Sequence, residues 1–76
     1  MKRVIHIDKE ILGGTPVFWG TRVPIKNLFD YLEEGETIAE FLDDFPSVSH
    51  EQISSVLQIS QELLMNVSKV AHENIA

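Results

Sequence analysis

From Ser49 to Ala76 the chain contains neither proline nor glycine, and this stretch constrains the fold more than any other feature. Ser49 followed three residues later by Gln52 is a capping-box pattern, in which each side chain satisfies a backbone amide of the other residue at a helix start. Behind it Ile53, Val56, Leu57, Leu63, Leu64, Val67, Val70 and Ala71 recur at helical spacing. The spacing predicts a helix from about His50 to Glu73, roughly 36 Å long at about 1.5 Å per residue. A compact domain of this size is only about 25–30 Å across. Half of the apolar row is therefore expected to overhang its own domain, and exposed apolar surface of that kind calls for a partner. The simplest partner is the same helix, or the N-terminal arm, of a second copy. Read as heptads, Ile53, Ser60 and Val67 fall on one seam position and Val56, Leu63 and Val70 on the other, with Ser60 as the weak point. The expected partner or dimer contacts are Ile53, Val56, Leu63, Leu64, Val67 and Val70.

Chain length points the same way. A single domain of 76 residues buries only about 60 to 65% of its unfolded surface, so its own core is marginal. Small domains usually add a disulfide, a metal or a second subunit. Cysteine is absent, and His6, His50 and His72 are scattered, so neither a disulfide nor a metal site is expected, and no cofactor. Oligomerisation remains. No window reaches the ~20 apolar residues of a membrane span, and Met1-Lys2-Arg3 leads into too brief an apolar stretch for a secretory signal. The expected location is the cytoplasm, with no membrane partner.

Charge is distributed unevenly. The net charge is −6, yet Lys2, Arg3, Lys9, Arg22 and Lys26 all lie in the first third, and Asn27 to Ser68 carries acids only. Such asymmetry speaks to partners, not to fold. A phosphate backbone is attracted to the first part and repelled by the second; a basic protein surface prefers the second.

Along the chain, Val4-Ile5-His6-Ile7 reads as a short strand, Gly13-Gly14-Thr15-Pro16 as a turn, Val17-Phe18-Trp19 as a second strand and Arg22-Val23 as a possible third. An isolated two-stranded ribbon is barely stable, so this arm, residues 1–23, must pack on the helical part, residues 24–76. Pro24 suits a first helical position. Ile25, Leu28, Phe29 and Leu32 form one helix face closed by Gly35, giving a helix over about Pro24 to Glu34. Thr37 and Glu40 make another capping box for a short helix that must end before Pro46.

The segment from Thr37 to about Ile59 has the dimensions of a helix-turn-helix, with Phe45-Pro46-Ser47-Val48 as its corner. In such a module the first residues of the second helix meet base edges. Those residues are Ser49, His50, Glu51, Gln52, Ser54 and Ser55, and Gln52 is the type that pairs with adenine. Arg22 and Lys26 are the candidate phosphate contacts, with Lys2, Arg3 and Lys9 on the arm. The same polar residues also fit the solvated face of a helical hairpin. Gly13-Gly14 lacks the Gly-Lys-Ser/Thr ending of a phosphate-binding loop. Glu33-Glu34 and Asp43-Asp44 are adjacent pairs that diverge by about 100° on a helix, and no serine has a His/Asp arrangement nearby, so catalysis is not expected. Trp19, in a basic arm, is a candidate core or partner contact, because tryptophan is over-represented at interface hot spots.

The run from Gly13 through Gly14-Thr15-Pro16-Val17-Phe18-Trp19-Gly20-Thr21-Arg22-Val23 to Pro24 resembles the signature of the DUF433 family. The likeness continues through Leu28, Tyr31 to Gly35, Ile38, Phe41 to Pro46 and Val48 to Ile53, and so covers nearly the whole chain. The resemblance implies a mainly α fold: a homeodomain-like or winged-helix-like three-helix helix-turn-helix with a short N-terminal β arm and a long C-terminal helix. It also implies an antitoxin of the VapB type, encoded beside a PIN-like ribonuclease toxin in bacteria. Such a protein neutralises its cognate toxin by direct contact and, as a homodimer, represses its own operon by binding operator DNA. The alternative is a protein-interaction module without DNA binding.

Overall fold

The computed structural model describes the backbone of residues 3–75 and the side chains of residues 3–68. Two strands, β1 (Ile5–His6) and β2 (Val17–Phe18), precede three helices, α1 (Ile25–Glu33), α2 (Ile38–Asp44) and α3 (His50–Ile75). The strands pair antiparallel, Ile5 opposite Phe18 and His6 opposite Val17. The expected third strand at Arg22-Val23 is reduced to one bridge between Val17 and Pro24. Proline has no N–H to continue a ladder, so the chain turns into α1 there. The connection between the strands tightens into a 3-10 turn, Leu12–Gly14. Leu12 sits in it at φ 48°, a left-handed conformation that costs a residue with a Cβ roughly 1–2 kcal/mol.

Each helix has an identifiable start and stop. Pro24 is the N-cap of α1 and not its first helical residue; the Ile25 amide donates instead to the Pro16 carbonyl of the arm, 3.0 Å away. At the other end Gly35 adopts φ 82°. The Glu36 amide donates to the Tyr31 carbonyl and the Gly35 amide to the Leu32 carbonyl, the paired bonds of a Schellman stop. Both expected capping boxes form, Thr37 with Glu40 and Ser49 with Gln52. Phe45 caps α2, and the Val48 amide donates back to its carbonyl to make the corner.

The core takes one or two side chains from every element after β1: Phe18 from β2, Leu28 from α1, Phe41 from α2, Val48 from the corner, and Ile53 and Val56 from α3. Phe41 is its centre, with Phe18, Tyr31 and Phe45 at ring distances of 6.0, 5.2 and 4.8 Å. The result is a small, mainly helical fold with a two-stranded sheet. α3 has 26 residues, about 39 Å of helix, and it draws the molecule out to 45 × 30 × 24 Å. Among the described residues, no helix is long and apolar enough to cross a membrane.

Candidate functional site

On the arm side, Trp19 is stacked within the chain. The Arg3 guanidinium lies 4.7 Å from its ring centre, and the His6 ring lies 4.4 Å away, tilted by 42°. Its carbonyl accepts a 2.8 Å hydrogen bond from Gln52 Nε2. The other end of that amide, Oε1, accepts from the Ser49 N–H at 3.0 Å. Gln52 therefore spends both ends of its side chain inside the fold, as a strut between arm and α3. Beside it His6, Ile11, Trp19, Gly20, Thr21, Arg22 and Ser47 line a groove between the hairpin and the corner before α3. Thr21 is committed there too: its hydroxyl donates to the Phe18 carbonyl and accepts from the Val23 amide.

The sequence candidates for DNA contact fare differently. Arg22 is exposed and, among the described residues, makes no hydrogen bond or ion pair, and the groove places it with Ser47. Lys26 is exposed but grips Asp30 one turn on, at 2.9 and 2.8 Å to the two carboxylate oxygens. That bond, and the charge behind it, holds the ammonium above its ordinary range. The Ser49 hydroxyl accepts from the Gln52 amide. His50 and Ser54 are exposed and Ser55 is half-buried on the first turns of α3.

The α1–α2 face is acidic. Tyr31 Oη donates a 2.6 Å hydrogen bond to Asp44 Oδ2 across α1 and α2. That bond, helped by partial desolvation and by neighbouring carboxylates, pushes the phenol up to about 12. Glu36 is held above the usual carboxylate range by its hydrogen bond with Glu40. Glu40 is held below it, first by the backbone amide of Thr37. No sequence spacing pairs Tyr31 with Asp44, thirteen residues away; only the α1–α2 packing does.

Along α3 the expected partner contacts divide. Ile53 and Val56 are 1% and 2% exposed and belong to the core. They are not surface contacts, because the body closes over the first two turns of the helix. Leu63, Leu64 and Val67 are 61%, 64% and 63% exposed, and Val70 lies outside the described side chains. The Ser60 hydroxyl, the weak point of the seam, donates to the Val56 carbonyl one turn back. It is satisfied within its own helix and leaves the apolar row without a free polar group. Met65 is equally exposed, about 200° round the helix from Leu63.

The family described as "Protein of unknown function (DUF433)" matches residues 5–58. The chain belongs to this family. The matched segment ends where α3 leaves the body, so the DUF433 unit comprises the arm, the three-helix core and the first turns of α3. A curated relative, the uncharacterized protein y4eO of Sinorhizobium fredii strain NGR234, is 35% identical over 52 residues. That match covers 68% of this chain and 24% of the relative, so the chain spans about a quarter of that protein's length. No solved structure matches the chain.

Proposed function

We propose that this DUF433 protein is an antitoxin-like adaptor. It binds a PIN-like ribonuclease toxin and, as a homodimer, binds its own operator through a homeodomain-like or winged-helix-like helix-turn-helix made of α2, the corner and α3. One observation carries the reading. The helix that anchors the family unit runs on past residue 58 and turns Leu63, Leu64 and Val67 to solvent, a division between a shared body and a projecting contact element.

The occupant of the projecting face is a second copy. Despite a net charge of −6, Glu62 is the one ionisable residue between Gln52 and Ser68, so two such helices pair without the like-charge repulsion that the rest of the chain carries. Dimerisation also repeats the DNA-facing surface, as two-fold operators require. The acidic α1–α2 face suits the cationic substrate groove of an RNA-cleaving toxin, where carboxylates stand in for phosphates. Location in the cytoplasm follows from this role.

The test is co-expression with the product of the adjacent reading frame, followed by sedimentation and a promoter gel shift. Leu63→Glu with Val67→Glu should leave the helical circular dichroism intact and shift the protein from dimer to monomer at micromolar concentration. A wild-type chain that sediments as a monomer sinks the dimer, and the operator reading with it.

A second reading, an interaction module without DNA binding, draws on Lys26 being neutralised by Asp30 and on the Gln52 side chain being held at both its oxygen and its nitrogen. Arg22→Glu separates the two: it abolishes the promoter shift under the first and changes nothing under the second.

A further inference from the structure

We infer that the groove between the hairpin and the α3 corner is a phosphate-backbone site for duplex DNA, with Arg22 and Ser47 as its donors and Trp19 as its floor. This deepens the DNA half of the proposed function and rests on it. Acidic residues outnumber basic ones by 12 to 6 in the chain, yet the groove is lined by His6, Ile11, Trp19, Gly20, Thr21, Arg22 and Ser47, without a carboxylate. Arg22, on its wall, has no intramolecular ion pair among the described residues, unlike Lys26, whose charge is already answered. Arg3 brings a second guanidinium to within 4.7 Å of the Trp19 ring centre. Arginine beside a hydroxyl is the donor set that phosphate oxygens take up.

Placement matters as much as charge. Ser47 is three residues before His50, the first residue of α3, and Gln52 ties the groove floor to that helix through the Trp19 carbonyl. A phosphate held in the groove therefore fixes the register of the first turn of α3 on the duplex. His50 and Ser54, both exposed there, are then the residues left to meet base edges, since Gln52 is committed. Gln52 is in this account a positioning residue, acting through Trp19.

Trp19 is the single tryptophan of the chain, so its emission reports on this groove alone. The experiment titrates the full chain at low salt with a mixed-sequence 20-base-pair duplex, following both Trp19 emission and a gel shift. A polyglutamate peptide serves as the competing polyanion. The expected result is a saturable emission change that tracks the shift and is not reproduced by polyglutamate. Arg22→Ala should weaken binding about tenfold or more and lower the salt slope by about one. Lys69→Ala removes the same charge eleven residues beyond the matched family segment and should keep the wild-type affinity and emission change. Free-state emission and circular dichroism of each variant check the fold, and Arg22→Lys should restore part of the affinity.

A gel shift without an emission change, or equal losses for Arg22→Ala and Lys69→Ala, overturns the groove and leaves DNA binding standing. Absence of any shift overturns both. An emission change with polyglutamate alone assigns the groove to an acidic protein and overturns the proposal.

Discussion

The body and the extension of α3 belong to one continuous helix and are held by different things. Up to Leu57 the helix is fixed by side chains closing on it from β2, α1, α2 and the corner; from residue 61 on its described side chains are exposed, Leu63 and Val67 among them. Within one chain, then, the same apolar periodicity does two jobs. In the first turns it makes a core; farther on it makes an exposed apolar surface. Helical spacing alone does not distinguish the two, because what decides is whether the rest of a 76-residue chain reaches that far.

The sharpest way to break this contrast is a pair of truncations. Phe41→Ala removes the ring on which Phe18, Tyr31 and Phe45 converge and should cost about 3–5 kcal/mol, enough to unfold a marginal domain outright. Leu63→Ala, the same kind of change in the extension, should lower the unfolding free energy of the dilute protein by less than about 0.5 kcal/mol in denaturant melts. Equal costs would mean that the extension folds back on the body.

Gln52→Ala is the next largest. It removes the Trp19 carbonyl's partner and half of the α3 cap, and should cost about 1–2 kcal/mol, with a shift in free Trp19 emission. If stability falls and emission stays put, the strut to the arm is not formed in solution.

A pH measurement tests the acidic side of the body. Tyr31 is the only tyrosine, and its phenol is raised to about 12 from about 10 in an unfolded chain. The neutral phenol is thus favoured by folding. Its stabilisation is whole below about pH 10 and is lost as pH rises towards 12. Ultraviolet titration should show a midpoint near 12 that falls towards 10 in Asp44→Asn, and Tyr31→Phe should remove this alkaline loss of stability. A wild-type midpoint of 10 rules the bond out.

The smallest effect expected is at Leu12, half-exposed and left-handed. Leu12→Gly relieves the strain but loosens the unfolded chain, so a net gain of a few tenths of a kcal/mol is expected from thermal melts.

Much of the body was legible in the sequence because its signals are local. The two capping boxes, the Gly35 stop and the Pro46 barrier each act within a few residues, and the helices start and stop within a residue or two of where those signals put them. Misreadings arose where tertiary packing decides. Ile53 and Val56 look like seam residues and are core, and Arg22-Val23 looks like a strand but yields to Pro24. Gln52 has the chemistry of a base reader, but a carbonyl thirty-three residues earlier in the chain takes its amide. The groove that joins Arg22 to Ser47 has no sequence signature at all, since its walls come from a hairpin and a corner far apart in the chain.

The helices also differ in where their first amides find partners. α2 and α3 carry their own starting signals in Thr37 and Ser49, whereas α1 borrows one, the Pro16 carbonyl, from the arm. Anything that tugs on the leading segment, such as a bulky fusion or a proteolytic nick ahead of Pro16, therefore loosens the start of α1 directly, reaches α3 only through the Gln52 bond to Trp19, and leaves the start of α2 alone. An affinity handle at that end is accordingly the wrong choice for a chain whose acidic face is to be studied.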